Sequence, residues 1–123
     1  MLKIGEFCLI FGFILIRKMA VTVVEDQNFE AGLKENSKVI VKYYADWCGS
    51  CRLFAPKYKR LSEDERFKGV AFLEVNAEKN PEARKAGGVK NLPTFAVFSD
   101  GVLVESVCTT KEDMLVELLG KLS

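Results

Sequence analysis

The chain has 123 residues, 49% hydrophobic and 28% charged, which suits one compact domain with a single core and a solvated surface. A net charge of +1 removes any electrostatic case for nucleic acid or for an acidic partner. Four cysteines and no histidine fall short of a disulfide scaffold and leave few ligands for a metal.

The chain opens with an apolar run, Phe7 to Ile16, preceded by Lys3 and followed by Arg17-Lys18. At ten residues it is short of the ~20 needed to span a bilayer. Three readings stay open for residues 1–18. They are a secretory signal whose cleavage site is occupied by basic residues, a membrane anchor, or a stretch upstream of a natural start at Met19. The expected division is an apolar extension, 1–18, and one domain, 19–123. Cytoplasmic location is the primary expectation, with an anchored or exported protein as the alternative.

Val21–Val24 has the composition of a short strand, and Asp26 is a candidate cap for a following helix that buries Phe29 and Leu33. Lys38–Ala45, rich in β-branched and aromatic residues, is expected as the central strand. Leu53, Phe54, Tyr58 and Leu61 recur at helical spacing, so a helix should run to about Asp64, kinked at Pro56. Val70–Asn76 is a further strand, and Pro81 suits the first turn of a short helix, Glu82–Ala86, ended by Gly87-Gly88. Thr94–Ser99 and Val102–Val107 flank Asp100-Gly101, a strong hairpin signal. Thr110–Leu122 is amphipathic, with Met114, Leu115, Leu118 and Leu119 apolar. Strand–helix alternation followed by a hairpin implies an α/β domain, a central mixed sheet flanked by helices.

Between the central strand and its helix stands Trp47-Cys48-Gly49-Ser50-Cys51. Cys48 should sit at the helix N-terminus, where unpaired N–H groups and the helix dipole favour a thiolate, with Cys51 one turn further along. Structural zinc needs two close ligand pairs, whereas Cys8 and Cys108 are isolated and expected to be inert, as small buried hydrophobes. So short a loop makes a poor structural staple. Thiol–disulfide chemistry remains, with Cys48 as nucleophile and Cys51 as resolving thiol.

Tyr44 to Cys51, Asn80-Pro81, Asn91-Leu92-Pro93-Thr94 and Ser99-Asp100-Gly101 together resemble the thioredoxin family, over roughly Val21 to the C-terminus. The resemblance implies the thioredoxin fold and a general protein-disulfide reductase that maintains cell redox homeostasis. It also implies disulfide-bearing protein substrates, a thioredoxin-reductase-type electron donor, no cofactor, no metal and a monomer. It makes Leu92-Pro93 a cis peptide beside Cys48, with Leu92, Pro93 and Thr94 meeting the substrate and Trp47 as an apolar platform. An exported or membrane-anchored disulfide oxidant or isomerase, and a redox-quiet interaction module, are the alternatives.

Two departures from the family stand out. Ser50 replaces the usual proline, which adds a hydroxyl near the thiols and frees the backbone around Gly49 and Ser50. Lys42 stands where the family places a buried aspartate, and Glu74 where it places a lysine. Each is the single charge in an otherwise apolar run, Val39–Ala45 and Val70–Val75, so an inverted, buried ion pair behind Cys51 is expected, the alternative being two charges that reach water separately.

Overall fold

The structure, a computed structural model, describes residues 21–122. Five strands form one sheet: β1 (Val21–Val23), β2 (Lys38–Tyr44), β3 (Ala71–Asn76), β4 (Thr94–Ser99) and β5 (Val102–Cys108). The helices are α1 (Asp26–Lys34), α2 (Gly49–Ser62), α3 (Pro81–Ala86) and α4 (Glu112–Gly120). The strand order is β1-β3-β2-β4-β5. β1 and β2 each run parallel to β3, while β4 is antiparallel to both β2 and β5. The expected mixed sheet between helices is therefore the one observed.

Alternation along β2 explains the two layers. Val39, Val41 and Tyr43 face α1 and α3, where Phe29, Leu33 and Ala83 complete one core. Ile40 faces the other side, in a core built from Phe54, Tyr58 and Leu61 of α2 and Leu115, Leu118 and Leu119 of α4. The Phe54 and Phe95 rings lie 5.1 Å apart, and Tyr58 and Phe72 5.3 Å apart, so aromatic contacts tie α2 to the sheet. The hairpin turns as expected: Asp100 and Gly101 both have positive φ (50° and 83°), the pairing that an Asp-Gly turn supplies. α2 passes through Pro56 without ending.

Asp26 does not cap its own helix. Glu25 is the extended residue before α1, and its N–H donates to Asn28 Oδ1 at 2.7 Å. The Asp26 carboxylate instead accepts from the Glu82 and Ala83 N–H groups, at 3.2 and 2.8 Å, capping α3. Its own N–H donates to Asn80 Oδ1. The free donors of an N-terminus can be met from anywhere in space, and here the partner lies more than fifty residues away.

Other boundaries shift for local reasons. α2 stops at Ser62 rather than Asp64, because the Asp64 carboxylate accepts from Arg66 N–H and starts a separate turn at Glu65–Phe67. α4 starts at Glu112 rather than Thr110, because the Thr109 hydroxyl accepts from Lys111 N–H and holds a turn there. It ends at Gly120 rather than Leu122, although Leu122 still packs in the core. Val24, Ala45 and Val70 fall just outside their strands, Cys108 just inside β5, and Pro81 just inside α3.

Tyr43 is fully buried and its hydroxyl has no hydrogen-bond partner among the described residues. Gly87 makes room for the ring, since a Cβ there would lie 2.6 Å from it. Burial raises the Tyr43 phenol above its ordinary 10.0 and the Tyr58 phenol well above it. Because burial penalises the ionised phenols, stability is unaffected by them below the unfolded-state value, 10.0, and falls as pH rises from there through the folded values. Tyr43→Phe is expected to gain about 1 kcal/mol at neutral pH, by removing an unsatisfied buried hydroxyl. It should also move the onset of alkaline unfolding upward. Urea denaturation followed across pH checks both, and a variant less stable than the parent would contradict the burial argument.

Candidate active site

Cys48 closes the loop after β2 and is the N-cap of α2, with extended backbone (φ −85°, ψ 102°). It forms a disulfide with Cys51 across a Cα separation of 5.3 Å. Cys48 Sγ accepts from the Cys51 N–H at 3.2 Å, so one of the free donors at the helix start already points at this sulfur. Ser50 Oγ lies 3.5 Å from the same atom. The hydroxyl introduced by the proline-to-serine departure thus reaches Cys48 and not only the backbone. Gly49 has open space where a Cβ would stand, so its lack of a side chain is not forced by packing.

Both cysteines are buried, Cys48 at 4% exposure and Cys51 at 2%. They form a small cluster with Ala45, against which Tyr44 and Leu92 pack. Leu92-Pro93 is a cis peptide, and the contact of Leu92 sets this loop beside the disulfide. Thr94 is buried at the start of β4, its hydroxyl donating to the Asn91 carbonyl at 2.5 Å, which ties the loop to the strand.

Trp47 stands two-thirds exposed at the rim, and its Nε1–H donates to Glu78 Oε2. The indole is therefore an open apolar surface held by a fixed edge. Glu78 escaped the sequence reading, since nothing in its local pattern marks it. Its N–H is anchored by Asn76 Oδ1 at the end of β3. Tyr44, which the sequence marks as a strand residue opening the Tyr44–Cys51 motif but with no role at the site, packs against the disulfide cluster.

Lys42 and Glu74 are register partners on adjacent parallel strands, so the topology brings them together as expected. The contact ion pair does not form. Lys42 is 3% exposed, with Nζ 5.8 Å from the ring centroids of both Tyr44 and Tyr58, and Glu74 is half-buried. Among the described residues no carboxylate lies within ion-pairing distance of Nζ. In a parallel pair at one register position, the long side chains can take different directions, and Lys42 takes the one lined by aromatic rings. Burial lowers its pKa from 10.5, and the charge of Glu74 opposes this only in part.

Cys108 is exposed, not buried, because it ends an edge strand. It pairs with Thr94 across β4 and β5. Cys8 lies outside the described residues. Among the described residues no helix is long and apolar enough to cross a membrane.

A disulfide spanning the first turn of a helix, beside a cis-proline on a five-stranded mixed sheet, defines a thiol–disulfide oxidoreductase. The thioredoxin family model matches residues 20–121. A thioredoxin H-type of Chlamydomonas reinhardtii is 33% identical over 96 residues, covering 78% of this chain and 84% of that protein. Thioredoxin F from spinach chloroplast, in its short form, superposes with a TM-score of 0.75 at 30% identity, over 82% of this chain and 91% of that one. A thioredoxin f2 structure, solved as a complex with ferredoxin:thioredoxin reductase, gives 0.74 at 30% identity, over 82% and 93%. The chain belongs to the thioredoxin family, and its activity is that of a protein-disulfide reductase.

Proposed function

We propose that Cys48 is the attacking thiol and Cys51 the resolving thiol of a general protein-disulfide reductase that keeps cellular thiols reduced. The observation that carries the assignment is the position of Cys48 Sγ at the N-cap of α2, accepting from Cys51 N–H. In the reduced protein the same donor and the helix dipole stabilise a thiolate at Cys48. That thiolate attacks one sulfur of a substrate disulfide, forming a mixed disulfide and releasing the other sulfur as a thiolate. The Cys51 thiol gives up its proton, and its thiolate attacks Cys48 Sγ and expels the remaining substrate sulfur. Two electrons have then passed to the substrate, and Cys48–Cys51 is the disulfide described above.

The low exposure of both cysteines implies that substrate must press into the rim between Trp47 and the Leu92–Thr94 loop. Trp47 supplies apolar contact, and the backbone at Leu92 is suited to pair with an extended substrate segment. Gly49 and Ser50 form the turn between the thiols, and the cis bond at Pro93 shapes the loop whose Leu92 packs on them. The electrons are returned by the dithiol of a thioredoxin-reductase-type donor. The protein is read as a cytoplasmic monomer needing neither cofactor nor metal, a compartment whose thiol poise suits a reductase.

Residues 19–123 are read as the redox domain and 1–18 as an extension outside it, which the family match from residue 20 supports. A chain beginning at Met19 is expected to reduce insulin disulfides at the rate of the full chain, with the same thermal midpoint. Absence of insulin reduction by either chain would overturn the reductase reading. A truncated chain that is markedly less stable would show that residues 1–18 belong to the domain.

A further inference from the structure

Lys42 is the one charged residue in the buried core among the described residues. Its hydrocarbon stem alone could have been served by a leucine or methionine, so the amine calls for an account. The groups facing it come from three elements. Tyr44 lies beside it on β2, Glu74 opposite on β3, and Tyr58 above on α2, while its β4 neighbour is the apolar Phe95. Two of these lead to the disulfide. Tyr44 packs against the Ala45, Cys48 and Cys51 cluster while its ring centroid lies 5.8 Å from Nζ. Tyr58 shares the buried face of α2 with Cys51, two turns away.

We propose that Lys42 is a positioning charge that sets the redox balance of the Cys48–Cys51 pair, by favouring the reduced, thiolate-bearing form over the disulfide. The proposal rests on the dithiol reading above. Reduction adds two electrons and one proton to a neutral disulfide and leaves one thiol and one thiolate near neutral pH, so one negative charge appears beside the helix start. A cation in a poorly solvated interior, with no carboxylate in contact among the described residues, acts over several ångströms with little screening. The coupling is reciprocal, so the thiolate helps Lys42 keep its proton against burial, and Lys42 helps the dithiol keep its charge.

The test is the equilibrium of the purified full chain with a dithiothreitol redox buffer, followed through the disulfide itself with no protein substrate present. Lys42→Met is expected to shift the constant about tenfold toward the disulfide, a potential about 30 mV more negative for this two-electron couple. Lys42→Arg keeps a charge that cannot be lost and should stay within about twofold of the parent. The thiolate absorbance of Cys48 should titrate at higher pH in Lys42→Met than in the parent or in Lys42→Arg. Lys42→Gln serves as the neutral variant if Lys42→Met fails to fold. Equal constants in the parent and the neutral variant would overturn the proposal. So would equal shifts in the neutral variant and Lys42→Arg, since that pattern reports packing and not charge. A chain with no measurable dithiol–disulfide couple would instead overturn the functional reading on which it rests.

Discussion

Cys48→Ser is expected to reduce insulin only at background rate, whereas Cys51→Ser should still attack and then accumulate as mixed disulfides with its substrates. The asymmetry follows from geometry. Cys48 Sγ holds the N-cap of α2 and receives the Cys51 N–H, so its thiolate is favoured before any substrate arrives. Cys51 stands inside the helix, bonded to Cys48, which makes it the group that closes the cycle. Removing the first thiol removes the attack. Removing the second leaves a covalent intermediate with no partner to resolve it. Non-reducing electrophoresis of each variant after mixing with oxidised substrate distinguishes the two outcomes. Equal trapping by both variants would mean that the two sulfurs are equivalent and that the helix start does not select between them.

Tyr58→Ala is expected to cost about 3–5 kcal/mol, a large part of the ~5–15 kcal/mol by which a domain of this size is stable. The ring is 1% exposed and lies 5.3 Å from Phe72 and 5.7 Å from Phe95, so its removal opens a cavity between α2 and the sheet. Its hydroxyl reaches the Leu73 carbonyl at 2.6 Å and the Ile40 carbonyl at 3.1 Å, bridging β2 and β3. Tyr58→Phe keeps the ring and should cost only about 1–2 kcal/mol. Denaturant midpoints for the pair separate ring from hydroxyl. A loss below about 1 kcal/mol for Tyr58→Ala would mean that α2 is not pinned to the sheet through this residue. Because α2 carries Cys51 on the same buried face, its mooring also fixes the geometry of the thiol pair.

Most of the fold was legible because its signals are local. Strand composition in β2, the Asp100-Gly101 turn, Pro81 opening α3 and the periodic apolar face of α2 each depend on neighbours within a few residues. The redox site was legible for the same reason: two cysteines at helical-turn spacing after a strand carry their chemistry in the spacing. What misled was reading long-range partners from sequence neighbourhood. Asp26 looked like the cap of the helix it begins, yet its carboxylate serves α3. Cys108 looked like a small core residue, yet β5 is an edge strand and leaves it exposed. Glu78 gave no signal, because its role comes from the indole that the fold brings to it.

The amino-acid sequence by itself determined the α/β alternation, the single domain pattern and the Cys48–Cys51 chemistry. Each follows from periodicity or spacing along the chain, which any compact form of these segments must respect. Only the tertiary structure decided which carboxylate caps which helix, how deep the two cysteines lie, the register that sets Lys42 beside Glu74, and that Lys42 turns to two tyrosine rings instead of to Glu74. Those outcomes depend on where side chains from distant segments end once the sheet and helices have closed. A charge in a core takes the best partner within reach, and reach is a property of the folded surroundings.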